Sequence, residues 1–153
     1  MKAVIQRVKY ASVTIDGKIH GKTGPGYMIL SAMSNEDNEN IVERMAEKIS
    51  KLRIFEDENG KMNLSIMQTG GSVLSISQFT LYANCRKGNR PSFDGAGEPV
   101  HAKAMYLYFN EALRKLGIHT EEGIFAADMK VELLNDGPVT IIMDSDTDLS
   151  HAK

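Results

Sequence analysis

The chain is poor in cysteine, proline and tryptophan, and it has no strong excess of charge. A single cysteine, Cys85, among 153 residues closes no intramolecular disulfide and builds no thiolate metal cage, which places the protein in a reducing compartment, the cytoplasm. With 18 basic and 20 acidic residues the net charge is −2, so the basic excess that marks many nucleic-acid-binding domains is missing. Bulk charge gives no sign of an RNA or DNA partner. No window approaches the roughly 18 uninterrupted apolar residues of a membrane span. The opening MKAVIQRVKY carries Lys2, Arg7 and Lys9 where a secretion signal would have an apolar core. His20, His101, His119 and His151 show neither i,i+4 pairing nor cysteine partners, so neither metal nor cofactor is expected.

Two catalytic motifs are absent as well. His20-Gly21-Lys22-Thr23 looks like the end of a phosphate-binding loop, but the required earlier glycine is Asp16, and Gly24-Pro25-Gly26 forbids the helix that must follow. Ser77 lies between Ile76 and Gln78 and not in a Gly-x-Ser-x-Gly elbow. No histidine can be tied to it as a base.

What is present is enough for one compact domain, since 42% of the residues are hydrophobic and the length is below the point at which cores split. Period-two patterning runs from Val4 to Ile15 and stops at Asp16-Gly17, which reads as strand and hairpin turn. Tyr27-Met28-Ile29-Leu30 restarts a strand. Ile41, Met45, Ile49 and Leu52 form a helical stripe after the cap candidates Ser34 and Asn35, predicting a helix over 37–52. Residues 73–82, dense in β-branched and aromatic side chains, predict a buried strand. A long loop follows over 83–98. Pro99 suits the first turn of a second helix with a stripe of Val100, Ala104, Leu107, Tyr108 and Ala112, ended by Gly117. Residues 129–133 and 139–143 alternate on either side of Asn135-Asp136-Gly137 and predict a terminal hairpin. The fold class expected is α+β: one domain over 1–144, mainly antiparallel sheet forming a barrel-like core with two principal helices, and a polar, flexible tail over 145–153.

Two segments carry chemistry. In Ser77-Gln78-Phe79-Thr80-Leu81, polar side chains in mid-strand are costly if buried alone. They mark either a strand with one wet face or a strand end that offers hydroxyls, an amide and backbone N–H groups to a substrate. The adjoining loop holds Arg86, Lys87 and Arg90 with no acid between Tyr82 and Phe93, either an ordinary solvated loop or a cradle for phosphates. In Asn135-Asp136-Gly137-Pro138-Val139-Thr140, Pro138 has no N–H for a hairpin. Gly-Pro is also a dipeptide in which a cis bond is accessible, and such a bond would fix neighbouring carbonyls.

Taken together, Ser77-Gln78-Phe79-Thr80-Leu81 and Asn135-x-Gly137-Pro138-x-Thr140 resemble the paired signature of the D-aminoacyl-tRNA deacylases. Gln6-Arg7-Val8, Ala11-Ser12-Val13, Arg53-Ile54-Phe55, Lys61-Met62-Asn63-Leu64, Arg90-Pro91-Ser92-Phe93 and Phe125-Ala126-Ala127-Asp128-Met129 extend the resemblance over nearly the whole chain. It implies a cytoplasmic homodimer that hydrolyses the ester between a D-amino acid and the terminal ribose of tRNA, with no cofactor, membrane or DNA partner. Gly137 and Pro138 of one subunit would form a chirality filter in the other's site. Arg7 would brace that loop. Ser77, Gln78, Phe79 and Thr80 would line the pocket, Phe125 and Met129 would shape its adenosine end, and Thr140 would support it. Arg86, Lys87 and Arg90 would meet the tRNA backbone. The resemblance also implies a mechanism assisted by the ribose 2′-OH and acceptance of glycyl groups. Two alternatives stay open: a non-catalytic aminoacyl-RNA binding module, and an esterase using Ser77 or Thr80 as nucleophile.

Overall fold

The computed structural model of the chain describes residues 1–149. β1 (Lys2–Ile15) runs without interruption to the hairpin turn, where Asp16 and Gly17 both have positive φ, as the favoured two-residue turn requires. β2 (Lys18–Thr23) and β3 (Gly26–Ala32) follow. Helix α1 (Glu39–Ser50) is capped by Asn38, whose side chain accepts from the Ile41 N–H at 3.0 Å. The expected caps lie too early because Ser34 spends its N–H on the Asp37 carboxylate, 2.7 Å away. The short strands β4 (Phe55–Glu56) and β5 (Met62–Leu64), the single turn α2 (Ile66–Thr69) and β6 (Ser72–Ser77) come next. After the loop stand α3 (Pro99–Lys115), β7 (Thr120–Glu122), β8 (Lys130–Asp144) and the single turn α4 (Ser145–Asp148).

Six strands form one mixed sheet in the order β2-β1-β3-β6-β7, with β8 also paired to β1. The β1 pairings with β2, β3 and β8 are antiparallel, and β3–β6 and β6–β7 are parallel. The sheet curls until β2 meets β7, where the Lys22 N–H donates to Glu121 and the His20 ring reaches the Glu122 carbonyl. It is a nearly closed barrel. Alternation sorts β3 between two cores: Tyr27 and Ile29 pack with α1 and α3, while Met28 and Leu30 point into the barrel with Val8, Leu74 and Ile76. A strand buried on both faces reads as an unbroken apolar run, which is why Tyr27-Met28-Ile29-Leu30 showed no alternation.

Four expectations need correction. The terminal segment is not a hairpin, because both halves of β8 pair with β1. Gln6 faces Thr140 and Val8 faces Asn135, so residues 136–139 bulge out opposite Arg7 alone. β1 is long enough to hold both halves, and a turn is not needed. The strand predicted over 73–82 stops at Ser77 and becomes a 3-10 turn at Phe79–Tyr82, since the partner strand β3 ends at Ala32 and offers no further ladder. The tail does not fray at 145. Ser145 Oγ accepts from the Met1 amine at 2.7 Å and Leu149 joins the core; residues 150–153 of the expected tail lie outside the described residues. Finally, α3 buries Ala102, Met105, Tyr106, Phe109 and Leu113, keeps Ala112 of the expected stripe buried, and leaves Val100 86% exposed. The helix has apolar residues on more than one face, and the stripe with the larger side chains is the one that packs.

Candidate active site

A cavity of about 540 Å³ opens where β3 and β6 end. One wall is the sequence Ile76-Ser77-Gln78-Phe79, and the opposite wall is 125–129 with Val131; α3 closes the back with Pro99, Ala102 and Tyr106. Of the residues predicted for the site, Ser77, Gln78, Phe79, Phe125 and Met129 line this cavity. Thr80 stands just beyond the lining, its hydroxyl accepting from the Gln78 side-chain amide.

The wall geometry follows from the way β6 ends. The Gln78 N–H donates to the Ser31 carbonyl at 2.7 Å, and the chain then turns so that the Leu81 N–H reaches back to the Gln78 carbonyl. The first N–H groups of such a turn, on Phe79 and Thr80, have no carbonyl within the turn to meet. Gln78 and Phe79, at the start of that turn, belong to the cavity lining. The rings of His20, His101 and His119 bond the Glu122 carbonyl, the Asp37 carbonyl and the Glu121 carboxylate respectively, and His151 lies outside the described residues. Among the described residues no cluster of three or more His, Cys, Asp or Glu side chains is placed to hold a metal.

Among the lining residues not predicted from sequence, Tyr106, Ala102 and Ala126 shape the pocket most plainly. Tyr106 lines the cavity and donates its hydroxyl to the Ser75 carbonyl at 2.7 Å, and burial raises its pKa. The size of Tyr106 within the correct helical stripe was the available signal. Ala102 lies one turn earlier on the same face. Ala126 has φ 66°, a left-handed conformation uncommon for a residue with a Cβ and typical of functional turns; nothing in the sequence announces it.

The second motif lies elsewhere. The Gly137–Pro138 peptide is cis and sits in the bulge of β8, both residues being exposed. Asn135 closes the base of the bulge: its side chain accepts from the Val139 N–H at 2.7 Å and donates to the Val139 carbonyl and Thr140 Oγ1 at 3.2 and 3.0 Å. Arg7, 5% exposed, braces it from below, donating through Nε to the Asp136 carbonyl at 2.8 Å and through Nη1 to the Ile54 carbonyl at 2.7 Å. Gly137 has φ 145°, and a Cβ there would approach the Val139 nitrogen to 2.9 Å and Arg7 Nη2 to 3.2 Å, so only glycine fits. Arg7, Gly137, Pro138 and Thr140 are not part of the lining of the cavity in their own chain. Arg86, Lys87 and Arg90 are exposed on the loop after the 3-10 turn.

Comparison with known proteins agrees with this architecture. The family model described as D-Tyr-tRNA(Tyr) deacylase matches residues 4–144. The D-aminoacyl-tRNA deacylase of Thermus aquaticus is 54% identical over 145 residues, covering 95% of this chain and 95% of the relative. That of Symbiobacterium thermophilum is 53% identical over 146 residues, covering 95% and 97%. The solved structure of a protein named c-Myc DNA unwinding element binding protein superposes with a TM-score of 0.88 at 42% identity, covering 94% of this chain and 98% of that one. A probable eukaryotic D-amino acid tRNA deacylase shares the fold with a TM-score of 0.81 at 14% identity, covering 93% and 97%. With a family match across almost the whole chain and relatives above 50% identity at nearly full length, the chain belongs to the D-aminoacyl-tRNA deacylases, a family of carboxylic ester hydrolases.

Proposed function

We propose that the protein hydrolyses the ester of D-aminoacyl-tRNA in the cytoplasm, as a homodimer in which the Gly137-Pro138 bulge of one subunit completes the cavity of the other. The observation that carries this reading is the separation of the two motifs. Ser77 to Phe79 line a cavity, while Gly137 and Pro138 project, exposed and braced, from the free edge of β8 in the same chain. A second copy brings together what one chain holds apart.

In the assembled site the carbonyls of Gly137 and Pro138 hold the amino group of a D-substrate, and an L side chain collides with them. Selection by collision accepts glycine, which has no side chain to clash, so glycyl-tRNA is a second substrate. Terminal adenosine occupies the cavity between Phe125 and Met129. Water attacks the ester carbonyl carbon, and the N–H groups of Phe79 and Thr80 stabilise the oxyanion. The bond to the ribose oxygen breaks and the proton passes to that oxygen, leaving a free amino acid and tRNA. The ribose 2′-OH positions the water, so protein positioning replaces a side-chain nucleophile, and DNA is not a substrate. Arg86, Lys87 and Arg90 contact the tRNA backbone.

The test is hydrolysis of D-tyrosyl-tRNA against L-tyrosyl-tRNA by the purified protein. Faster hydrolysis of the D-form is expected. Equal rates would remove the filter, and no turnover of either would favour a binding module. Substrate ending in 2′-deoxyadenosine should be nearly inert; normal turnover would instead point to Thr80 or Ser77 as a nucleophile.

A further inference from the structure

Phe79 is 57% exposed, an unusual position for a large aromatic side chain at the mouth of a cavity. Its ring meets that of Phe93 edge to face, with centroids 5.1 Å apart and planes at 71°. The two rings make an apolar corner on the outer lip. Phe93 is half-buried and comes from the far end of the loop that follows the 3-10 turn. That loop is an arch with a fixed base: the Asn84 N–H donates to the Ser92 carbonyl at 2.8 Å, and the Ser92 N–H returns to the Asn84 carbonyl at 3.0 Å. Arg86, Lys87 and Arg90 lie between those two anchors, all exposed, with no acid among them. The corner and the cations are therefore held side by side by the same bridge.

An aromatic surface beside a short run of cations is the arrangement that binds single-stranded nucleic acid, with bases on the rings and phosphates along the charges. We propose that the Phe79–Phe93 corner is a stacking site for the nucleobase that precedes the terminal adenosine, with the Arg86–Lys87–Arg90 arch neutralising the connecting phosphates. The inference rests on the reading of the cavity as the place of the terminal adenosine, and it adds a subsite outside it. Stacking is tolerant of base identity, so the site recognises an unpaired 3′ end and not a particular sequence. It also explains how a chain with net charge −2 takes an RNA substrate: the contact is local.

The test compares D-tyrosyl-adenosine with the D-tyrosyl ester of the dinucleotide CpA. The added cytidine should raise kcat/KM by roughly 5- to 100-fold, the range of one base–aromatic stack. Phe93→Ala should lower the ratio of the two kcat/KM values several-fold, and Phe93→Trp should restore it. A direct readout is the uncharged dinucleotide carrying 2-aminopurine in place of cytosine, whose fluorescence should be quenched on binding the wild type and much less on binding Phe93→Ala. That measurement needs no turnover, so it separates failure of the stacking site from failure of the hydrolase reading. A ratio near one in the wild type, or unquenched 2-aminopurine, overturns the proposal. So does a Phe93→Ala variant that loses activity equally on both substrates while its dimer dissociates, which would make the corner a subunit contact.

Discussion

The Tyr106 hydroxyl donates to the Ser75 carbonyl at 2.7 Å, and the Gly123 N–H reaches the same oxygen at 3.2 Å. Ser75 stands two residues before Ser77, and Gly123 two before Phe125. The two walls of the cavity diverge from this one carbonyl, with Tyr106 bridging it from α3. Tyr106→Phe keeps the ring and removes the clamp, which should cost about 1 kcal/mol. A thermal melt should show a fall of roughly 2–4 °C, and KM for D-tyrosyl-tRNA should rise more than kcat falls. Unchanged KM would confine Tyr106 to a packing role.

Arg7 spans two carbonyls from a buried position, those of Asp136 and Ile54. Lysine keeps the charge but lacks the fork that meets both. Arg7→Lys should retain the fold and lower the ratio of D- to L-tyrosyl-tRNA hydrolysis about 10-fold. Arg7→Ala strands both acceptors and should destabilise by about 2–6 kcal/mol, at about 1–3 kcal/mol for each unsatisfied carbonyl. Chemical denaturation read alongside the D/L ratio separates the two effects.

Ala102 faces the cavity from α3 and is 8% exposed. A phenyl group at this position grows into open cavity and not into packed core, so Ala102→Phe should melt within a few degrees of the wild type. It should reduce kcat/KM at least about 100-fold by occupying the place of the substrate, an exclusion worth roughly 3 kcal/mol in transition-state terms. Near-normal kcat/KM in a folded variant would show that substrate does not enter this cavity.

The amine of Met1 lies 2.6 Å from Asp37 Oδ1, and both side chains are almost fully shielded from water. Asp37 also accepts from the Ser34 N–H, while the amine reaches Ser145 Oγ. Removing one member of a buried pair leaves the other charge uncompensated, at about 3–5 kcal/mol. Asp37→Ala should show that loss in a denaturant titration, whereas exposed Glu36→Ala, its neighbour, should change stability by less than about 0.5 kcal/mol.

The Lys61 N–H holds the Asp57 carboxyl below the ordinary carboxylate range, helped by the Asn59 N–H and the Asn63 amide against a smaller opposing effect of burial. A depressed pKa in the folded state stabilises above the unfolded value of about 4 and is lost as pH falls through the folded value. Stability should therefore decline on the acid side, and Asp57→Asn should flatten that decline. An NMR titration of the Asp57 carboxyl carbon with a midpoint at or above the unfolded value would contradict this.

Much of the architecture was legible from local signals. The Asp16-Gly17 turn, α1 and the extent of α3 followed from periodicity and turn chemistry, which act over a few residues. The errors arose where distant segments decide. Whether 135–137 turns a hairpin or bulges from a continuous strand depends on the length of β1 and on Arg7, more than a hundred residues away. Whether Phe79 continues a strand depends on where β3 ends. The face of α3 that packs was ambiguous because both stripes are apolar, and only the space between α1 and the sheet selects the larger one.

The opening scarcities keep part of their meaning. One cysteine and no long apolar run still describe a chain without disulfide or membrane-spanning helix among its described residues. The near-neutral charge spoke only to non-specific attraction, which scales with total phosphate neutralisation. By itself the sequence determined the residue types at the site and the family they mark, because those are matters of order and spacing. Tertiary structure alone decided that Ser77 to Phe79 line a cavity while Gly137 and Pro138 stand on an exposed edge, because strand pairing assigns each segment its side of the sheet.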